Sequence, residues 1–216
     1  MNVPRCIGAP DAHCATRTRA SRRRARGDAS SRAWIGPTTP SPPPPRIRVR
    51  ILTEPIDERE SIEFVRSPLA GAISTFIGTA RKTYRGVDVL ELAYECYEPM
   101  ALEVLDAVAR ETCARYAGDG DERRVAVDGR GGMGVVAMDI AHRVGTVGVS
   151  ETSVVVSCAA SHRKDACDAV AEAMELLKAR APIWKKEILD VVDETSGARV
   201  GVWKANGLGE HFGRDG

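Results

Sequence analysis

Four consecutive prolines at residues 42–45 divide the sequence into two parts of different composition. A proline run adopts the extended polyproline II conformation, lacks backbone N–H groups, and can join neither a helix interior nor a central strand. Residues 1–46 carry nine arginines and two acidic residues, a net charge of +7, whereas the rest of the 216-residue chain has a net charge of −6. Residues 1–45 also hold few large apolar side chains and no periodic pattern. We therefore predict a disordered extension at 1–45 and one folded domain at 46–216.

The arginine-rich extension is open to three interpretations. It fits a dispensable disordered tail, and it also resembles an organellar transit peptide, because it is rich in Arg and Ser and poor in acidic residues. A third interpretation is an arm for nucleic acid or an anionic surface, but its arginine triplet at 22–24 is weak evidence. The acidic remainder of the chain disfavours broad contacts with a nucleic-acid backbone. We expect a cytoplasmic protein without a nucleic-acid partner, with organellar targeting as the alternative.

Hydropathy and cysteine content narrow the class of protein. No stretch of the sequence approaches the roughly 18 consecutive apolar residues of a membrane span, so none is predicted. The six cysteines are too sparse for a disulfide-stapled small domain and contain no CxxC pair, which argues against a structural zinc site. We expect reduced thiols, no metal ion and no membrane association.

The folded domain is predicted to contain both strands and helices. Period-two alternation of apolar residues predicts half-buried strands at 47–52 and 87–97, and the apolar run at 71–79 predicts a buried strand. Asp57 is a suitable N-cap for one helix, and Pro99 is tolerated in the first turn of another. Some neighbouring strands are spaced like hairpins, so we predict an α+β fold with a mixed or antiparallel sheet and helices packed on one side. Further strands are predicted at 135–141, 147–149, 153–159, 184–192 and 200–203, and loops at 81–86 and 118–134.

A helix at 163–180 is the strongest element prediction. Its apolar residues share one face at a period of about 3.6 residues: Ala166, Ala169, Val170, Ala173, Met174 and Leu177. Lys178 lies at the edge of that face, one turn after Met174. Partial desolvation at such an edge lowers a lysine pKa and makes the amine useful as a base or nucleophile. The alternative is a lysine whose stem covers apolar surface while its ammonium stays in water.

A second lysine, Lys185, follows that helix closely. Pro182 stiffens the intervening turn, and we expect Trp184 to anchor it by burial, which would fix the Lys185 ammonium near Lys178. Two lysines directed at one point would suit a phosphate or another anionic substrate. The alternative is an ordinary solvated charge cluster, because Lys185, Lys186 and Glu187 are consecutive.

Two His-Arg pairs are further candidates for anion binding, because arginine binds phosphate through two parallel hydrogen bonds. His142-Arg143 closes a predicted strand, and His162-Arg163 opens the long helix, whose first backbone N–H groups could also bind an anion. The alternative for each pair is a hydrogen-bonded structural histidine beside a surface arginine. Arg81 follows the strand at 71–79, in which Gly78 would permit close approach of a neighbour.

Two other types of site are disfavoured. The glycines at 131–134 lack the strand–turn–helix context of a phosphate-binding loop, so we reject a nucleotide site there. Cys158 and Cys167 fall where buried small apolar residues are expected, which argues against a Cys/His hydrolase.

Five stretches together resemble the large, catalytic subunits of molybdopterin synthases, in that family's order and spacing. They are GAISTFIGTAR (71–81), LELAYECYEPMA (90–101), AHRVGTVGVSE (141–151), VVVSCAASHRKDAC (154–167) and MELLKARAPIWKKE (174–187). The resemblance implies an α+β fold of the α/β-hammerhead type and a dimer of large subunits. Each large subunit would receive the C-terminal tail of a small ubiquitin-like sulfur carrier, giving a heterotetramer. As a sulfurtransferase it would act on cyclic pyranopterin monophosphate, and the carrier thiocarboxylates would supply both sulfurs of the molybdopterin dithiolene.

The resemblance also implies site residues. Lys178 and Lys185 match the family's two active-site lysines, and the implied substrate-binding residues are Phe76, Arg81, His142, Arg143, Met174 and, as candidate for a basic residue reached across the dimer, Lys204. Residues 118–134 are longer and more glycine-rich than the family usually has there, and residues 1–45 match nothing in it. No metal or cofactor is implied, because sulfur comes from the partner without redox change. The rival hypothesis is a non-enzymatic scaffold that binds the tail of a ubiquitin-like partner and needs no reactive lysine.

Overall fold

The computed structural model describes residues 43–118 and 132–204, all within one unit that spans Thr39–Gly216. Within these residues the chain forms nine strands and three helices, so the α+β prediction is confirmed. They are β1 (Arg46–Leu52), α1 (Glu58–Val65), β2 (Ala72–Thr79), β3 (Thr83–Tyr84), β4 (Val87–Cys96), α2 (Glu98–Arg115), β5 (Val135–Arg143), β6 (Gly145–Gly148), β7 (Thr152–Ala160), α3 (Arg163–Arg180), β8 (Ile183–Val192) and β9 (Arg199–Lys204). Most of the predicted extension at 1–45, and residues 119–131 of the predicted loop, lie outside the described residues.

Two sheets organise the chain. The first has the strand order β1-β5-β7-β2, in which β1 runs parallel to β5 and the other neighbours are antiparallel. The second joins β3, β4, β8 and β9 in that order through antiparallel pairs, and β6 also pairs with β4. The predicted mixed sheet is therefore confirmed, and among the described strands the parallel pair is β1 with β5.

Both faces of the first sheet are covered, which corrects the expectation of helices on one side. Met138 and Ile140 of β5 belong to the main core, to which α2 and α3 contribute Leu105 and Leu177. Ala137 points to the opposite face and packs with Val65 of α1. Because both faces are buried, β5 is an almost continuous run of buried residues instead of an alternating strand.

The helices begin and end close to where the sequence predicts. Asp57 caps α1 by accepting hydrogen bonds from the backbone N–H groups of Arg59 and Glu60. Pro99 lies in the first turn of α2, where its missing N–H costs nothing. The bounds of α3 are those predicted, and all six apolar residues of its predicted face are buried.

The arginines of β1 hold α1 on the sheet. Asp139 of β5 is fully buried and accepts hydrogen bonds from Arg48 Nε at 2.6 Å and Arg50 Nη2 at 2.9 Å. Both arginines also reach Glu60 of α1 at 2.7 Å. The Arg48 guanidinium stacks over the ring of Phe64, 4.2 Å from its centroid. The basic face of β1 is thus partly buried beneath α1 and neutralised there.

The strand predicted as buried at 71–79 is an edge strand, so that prediction is wrong. Among the described strands, β2 pairs with β7 alone. Ile73, Phe76 and Ile77 are each more than a third exposed. An apolar run in the sequence predicts that a strand is buried, but it does not show whether the same chain or a partner protein buries it. The predicted loop at 81–86 also contains the short strand β3.

Candidate functional site

A cavity of about 170 Å³ lies where the two sheets meet α3. Its walls come from six elements, β2, β4, β5, β7, β8 and α3: Phe76, Gly78, Thr79, Tyr94, His142, Ser153, Val154, Met174, Leu177, Lys178 and Lys185. A wider groove of about 580 Å³ runs along the outer face of α3 and shares Phe76, Met174 and Lys178 with the cavity. Five predicted site residues therefore converge here, namely Phe76, His142, Met174, Lys178 and Lys185.

Lys178 stands where the cavity meets the groove. It occupies the last turn of α3, and its side chain is 53% exposed. Its Nζ lies 3.8 Å from Oε1 of Glu175, one turn earlier in the same helix. The expected position at the edge of the apolar face is confirmed, but the expected desolvation is not present in the chain alone. A partner that covers the groove would be needed to remove water from this amine.

Lys185 is held more tightly, through the pairing of β8 with β4. It is paired with Tyr94 across the two strands, and its side chain is 27% exposed. Its Nζ lies 3.6 Å from Oε1 of the buried Glu187, which points to the same side of the strand. Trp184 points to the other side and is 48% exposed, so the prediction that Trp184 anchors this turn by burial is wrong.

His142 supplies a neutral group to the cavity. Its side chain is buried, and its Nδ1 lies 2.8 Å from the backbone oxygen of Arg143. The Tyr94 ring stands edge-on to the imidazole, with ring centroids 5.2 Å apart. Burial lowers the pKa of His142 to about 4, although the hydrogen bond to Arg143 acts in the opposite direction. The imidazole is therefore uncharged at neutral pH.

Arg143 does not line the cavity, whereas the preceding residue, His142, does. Its Nη1 donates to Oε2 of Glu151 at 2.8 Å, and the same oxygen accepts from the backbone N–H of Gly148 at 2.9 Å. These hydrogen bonds hold the pKa of the Glu151 carboxyl below its usual value, the Gly148 N–H having the largest effect. Arg143 thus braces the turn between β6 and β7.

Other predicted candidates lie outside the cavity. Arg81 is exposed in the segment after β2 and does not line it. Lys204 ends β9, and its backbone is paired with that of Lys185. His162 is the N-cap residue of α3 and makes no side-chain capping bond. Cys158 is buried as expected, whereas Cys167 is exposed, which contradicts the prediction for that residue.

Several cavity residues escaped the sequence analysis, among them Tyr94 and Ser153. The alternation of 87–97 could have placed Tyr94 on the buried face of its strand. Burial raises the pKa of Tyr94, and the Glu187 carboxylate raises it further. The hydrogen bond with the Ser153 hydroxyl lowers this pKa by less than burial raises it. Ser153 is a polar residue in an apolar strand, and its hydroxyl donates to the Gly78 carbonyl at 3.1 Å. A Cβ on Gly78 would lie 2.6 Å from Val154 Cγ1, so the close approach inferred for this glycine is present.

This arrangement combines two ammonium groups, a neutral imidazole and a protonated phenol. Such a set can bind an anionic ligand and offer an amine for proton transfer or nucleophilic attack. Among the described residues, no group of three or more His, Cys, Asp or Glu side chains is placed to hold a metal ion. Over the same residues, no helix is long and apolar enough to cross a membrane.

Comparison with known proteins gives a consistent family. The family model described as "MoaE protein" matches residues 51–180. The molybdopterin synthase catalytic subunit of Homo sapiens is 34% identical over 158 residues, covering 73% of this chain and 75% of the human protein. That of Drosophila pseudoobscura pseudoobscura is 37% identical over 158 residues, again 73% of this chain but 38% of the fly protein.

A solved structure supports the same assignment of fold. The crystal structure of molybdopterin synthase from Staphylococcus aureus matches 71% of this chain and 94% of the bacterial chain, with a TM-score of 0.58 and 30% sequence identity. The match thus spans nearly all of that bacterial chain but only about two fifths of the fly relative.

Proposed function

Because the chain belongs to the MoaE family, whose model matches residues 51–180, we propose that it is the catalytic subunit of a molybdopterin synthase. In this proposal it is a sulfurtransferase that moves sulfur from the C-terminal thiocarboxylate of a small ubiquitin-like partner to cyclic pyranopterin monophosphate. Two such transfers complete the dithiolene of molybdopterin. The observation that carries the proposal is the convergence of Lys178 and Lys185, from a helix and a strand, on one cavity.

The two lysines have different surroundings, which supports different roles. Lys178 opens to both the cavity and the groove, so it stands where a partner tail arriving along the groove would meet a substrate in the cavity. We assign it the role of amine or general base beside the pterin carbon that receives sulfur. Lys185 is less exposed and is placed by its strand pairing and by Glu187, which suits a fixed positive charge for the substrate phosphate or the tail carboxyl.

The remaining predicted site residues have distinct places in the proposal. Phe76 and Met174 provide apolar surface at the junction of groove and cavity. Arg143 acts through the turn that it braces instead of touching substrate. Arg81 and Lys204 remain proposed substrate-binding residues, with Lys204 reaching a neighbouring site across a dimer.

Two exposed apolar surfaces support the proposed partners. Phe76 of the edge strand β2 is more than a third exposed and lines the groove, where an extended carrier tail would lie. Ile73 and Ile77 are also exposed but point to the other face of that strand. Trp184 of β8 and Trp203 of β9 are each about half exposed in the second sheet, on the far side from the cavity. We propose that this second surface lies between two copies of the chain in a heterotetramer.

Reconstitution tests the proposal. The purified chain is mixed with thiocarboxylated carrier and cyclic pyranopterin monophosphate, and dithiolene product is measured by conversion to a fluorescent pterin. The proposal expects product with wild-type protein and almost none with Lys178→Ala, while Lys164→Ala, which removes a lysine from the first turn of the same helix, stays active. A non-enzymatic scaffold would bind carrier with no product from any of the three proteins. Cytoplasmic location remains a prediction, with organellar targeting by the arginine-rich extension as the alternative.

A further inference from the structure

The hydrogen bond of His142 fixes which of its two ring nitrogens carries a hydrogen. Nδ1 lies 2.8 Å from the backbone oxygen of Arg143, and a carbonyl oxygen can only accept a hydrogen bond. Nδ1 is therefore the donor. In a neutral imidazole with Nδ1 protonated, Nε2 carries a lone pair and can only accept.

The position of the Arg143 carbonyl, which fixes this tautomer, is itself fixed by contacts of Arg143. Arg143 is paired with Leu52 in the parallel ladder between β5 and β1. The Arg143 guanidinium is bound to Glu151, which also accepts from the backbone of Gly148. The backbone oxygen next to His142 thus belongs to a segment fixed by a strand pair and by an ion pair.

The surroundings of His142 oppose a second proton on the ring. The side chain is 3% exposed, and burial alone places its pKa far below neutrality. The other titratable or polar side chains around the cavity come from five elements: Thr79 on β2, Tyr94 on β4, Ser153 on β7, Lys178 on α3, and Lys185 with its partner Glu187 on β8. Two of these are ammonium groups, and a third cation in the same cavity would be repelled by them.

The second ring nitrogen is available to a ligand. Among the described residues the ring makes no hydrogen bond other than the one to Arg143. Some polar atoms in the described part of the chain are fully enclosed and lack a hydrogen-bond partner, but Nε2 is not one of them. Nε2 therefore remains accessible. Since His142 lines the cavity, that is where its lone pair can meet a donor.

We propose that His142 binds the substrate as a neutral acceptor, taking an N–H or O–H of the ligand at Nε2, and does not bind its phosphate as a cation. The identity of that ligand rests on the proposed function. A pterin has amide and amine N–H groups on one side of its rings, and in this substrate the phosphate lies at the other end. The cavity would then orient it, with Lys185 at the anion, Lys178 beside the carbon that receives sulfur and His142 at the N–H edge.

The tautomer can be measured without any activity assay. Full-length protein with ¹⁵N-labelled histidine gives ring nitrogen signals from four histidines, and the His142→Gln variant identifies those of His142. We expect a protonated Nδ1 and a bare Nε2 from about pH 8 down to about pH 5.5, since the pKa is about 4. An Nε2-protonated ring, or a doubly protonated ring at pH 7, would overturn the proposal.

A matched pair of variants tests the role of the acceptor. A glutamine at position 142 places its amide oxygen near the former Nε2, whereas an asparagine reaches only the former Nδ1. With both variants shown to be folded by thermal melts, we expect His142→Gln to keep the KM for the pterin within about threefold. His142→Asn should raise it at least about tenfold, which corresponds to losing about 1.4 kcal/mol of binding.

The outcomes separate this proposal from the proposed function. If wild-type protein forms no dithiolene, the proposed function fails, and the ring nitrogen signals still decide the state of His142. If wild-type protein is active and the two variants bind pterin equally well or equally poorly, the acceptor role is wrong.

Discussion

Lys185 Nζ lies 3.6 Å from Glu187 Oε1, on the inner side of β8, with Glu187 almost completely buried. Removing the lysine alone takes a positive charge away from a buried carboxylate, which is costly. We expect Lys185→Ala to lower the free energy of unfolding by about 2 kcal/mol, less than for a fully buried pair because Lys185 is partly exposed. Urea denaturation measures this loss.

A double variant separates the two roles of Lys185. Adding Glu187→Gln to Lys185→Ala removes the buried negative charge and should restore part of the lost stability. It should not restore affinity for the substrate or the carrier, since the ammonium is still absent. Recovery of affinity together with stability would mean that Lys185 acts only through the fold.

Lys178 is predicted to matter for turnover and not for stability. Its side chain is half exposed, so Lys178→Ala should change the unfolding free energy by less than about 0.5 kcal/mol. Turnover should fall by about 10²–10⁴-fold, the usual contribution of a positioned acid–base group. Lys178→Arg should not rescue turnover, because a guanidinium stays protonated. Single-turnover assays with saturating carrier make the measurement, and near wild-type rates in Lys178→Ala would show that Lys178 is not the catalytic amine or base.

The pKa of His142 predicts a pH dependence of stability. The folded-state value is about 4 against an ordinary 6.5, so the unfolded chain binds more protons between these values. Stability should therefore fall as pH drops from about 6.5 to about 4, by roughly 3 kcal/mol in total from this group. The unfolding free energy of His142→Gln should fall less steeply over the same range. Parallel curves for the two proteins would show that His142 does not titrate in this way.

The buried Asp139 is predicted to be a major contributor to stability. Asp139→Asn leaves Arg48 and Arg50 without their shared buried carboxylate, which should cost about 3 kcal/mol or more. Asp106→Asn is the matched control, because Asp106 pairs with Arg110 on the surface of α2 and should cost less than about 1 kcal/mol. Equal midpoints of urea denaturation for the two variants would contradict this prediction.

Thiol labelling tests the assignment of the cysteines as packing groups. Burial raises the pKa of Cys113 to about 12 and that of Cys158 further, so both should resist alkylation until the protein unfolds. Cys167 is exposed and should react in the native state. Peptide mass spectrometry after a short pulse of iodoacetamide distinguishes these sites. Native-state labelling of Cys158 at the rate of Cys167 would show that this part of the core opens.

Local patterns predicted the elements better than they predicted the site. The bounds of α3 follow from six apolar residues at helical spacing, the cap of α1 follows from Asp57, and Pro99 marks the first turn of α2. The cavity depends on contacts between residues far apart in sequence, such as the pairing of Tyr94 with Lys185. The positions of Tyr94 and Lys185 in the sequence do not show that these two residues are paired. Family resemblance supplied the residues that converge, but not their burial or charge state.

Two errors have simple physical origins. β8 begins at Ile183, which points inward, and the period of two then turns Trp184 outward and Lys185 into the cavity. The apolar run of β2 predicts a buried strand, whereas the strand order places β2 at an edge of its sheet. Sequence alone reports how apolar a strand is, and not which molecule covers it.

The edge position of β2 has a practical consequence for handling the protein. Among the described strands only β7 pairs with β2, so its other edge offers unpaired backbone groups beside the exposed side chains of Ile73, Phe76 and Ile77. This combination promotes edge-to-edge aggregation. Soluble yield should therefore rise when the carrier is co-expressed, and a lysine in place of Ile77 should reduce precipitation of the chain produced alone. The surface that we propose receives the sulfur donor would then also be the one that causes the chain to aggregate when it is produced alone.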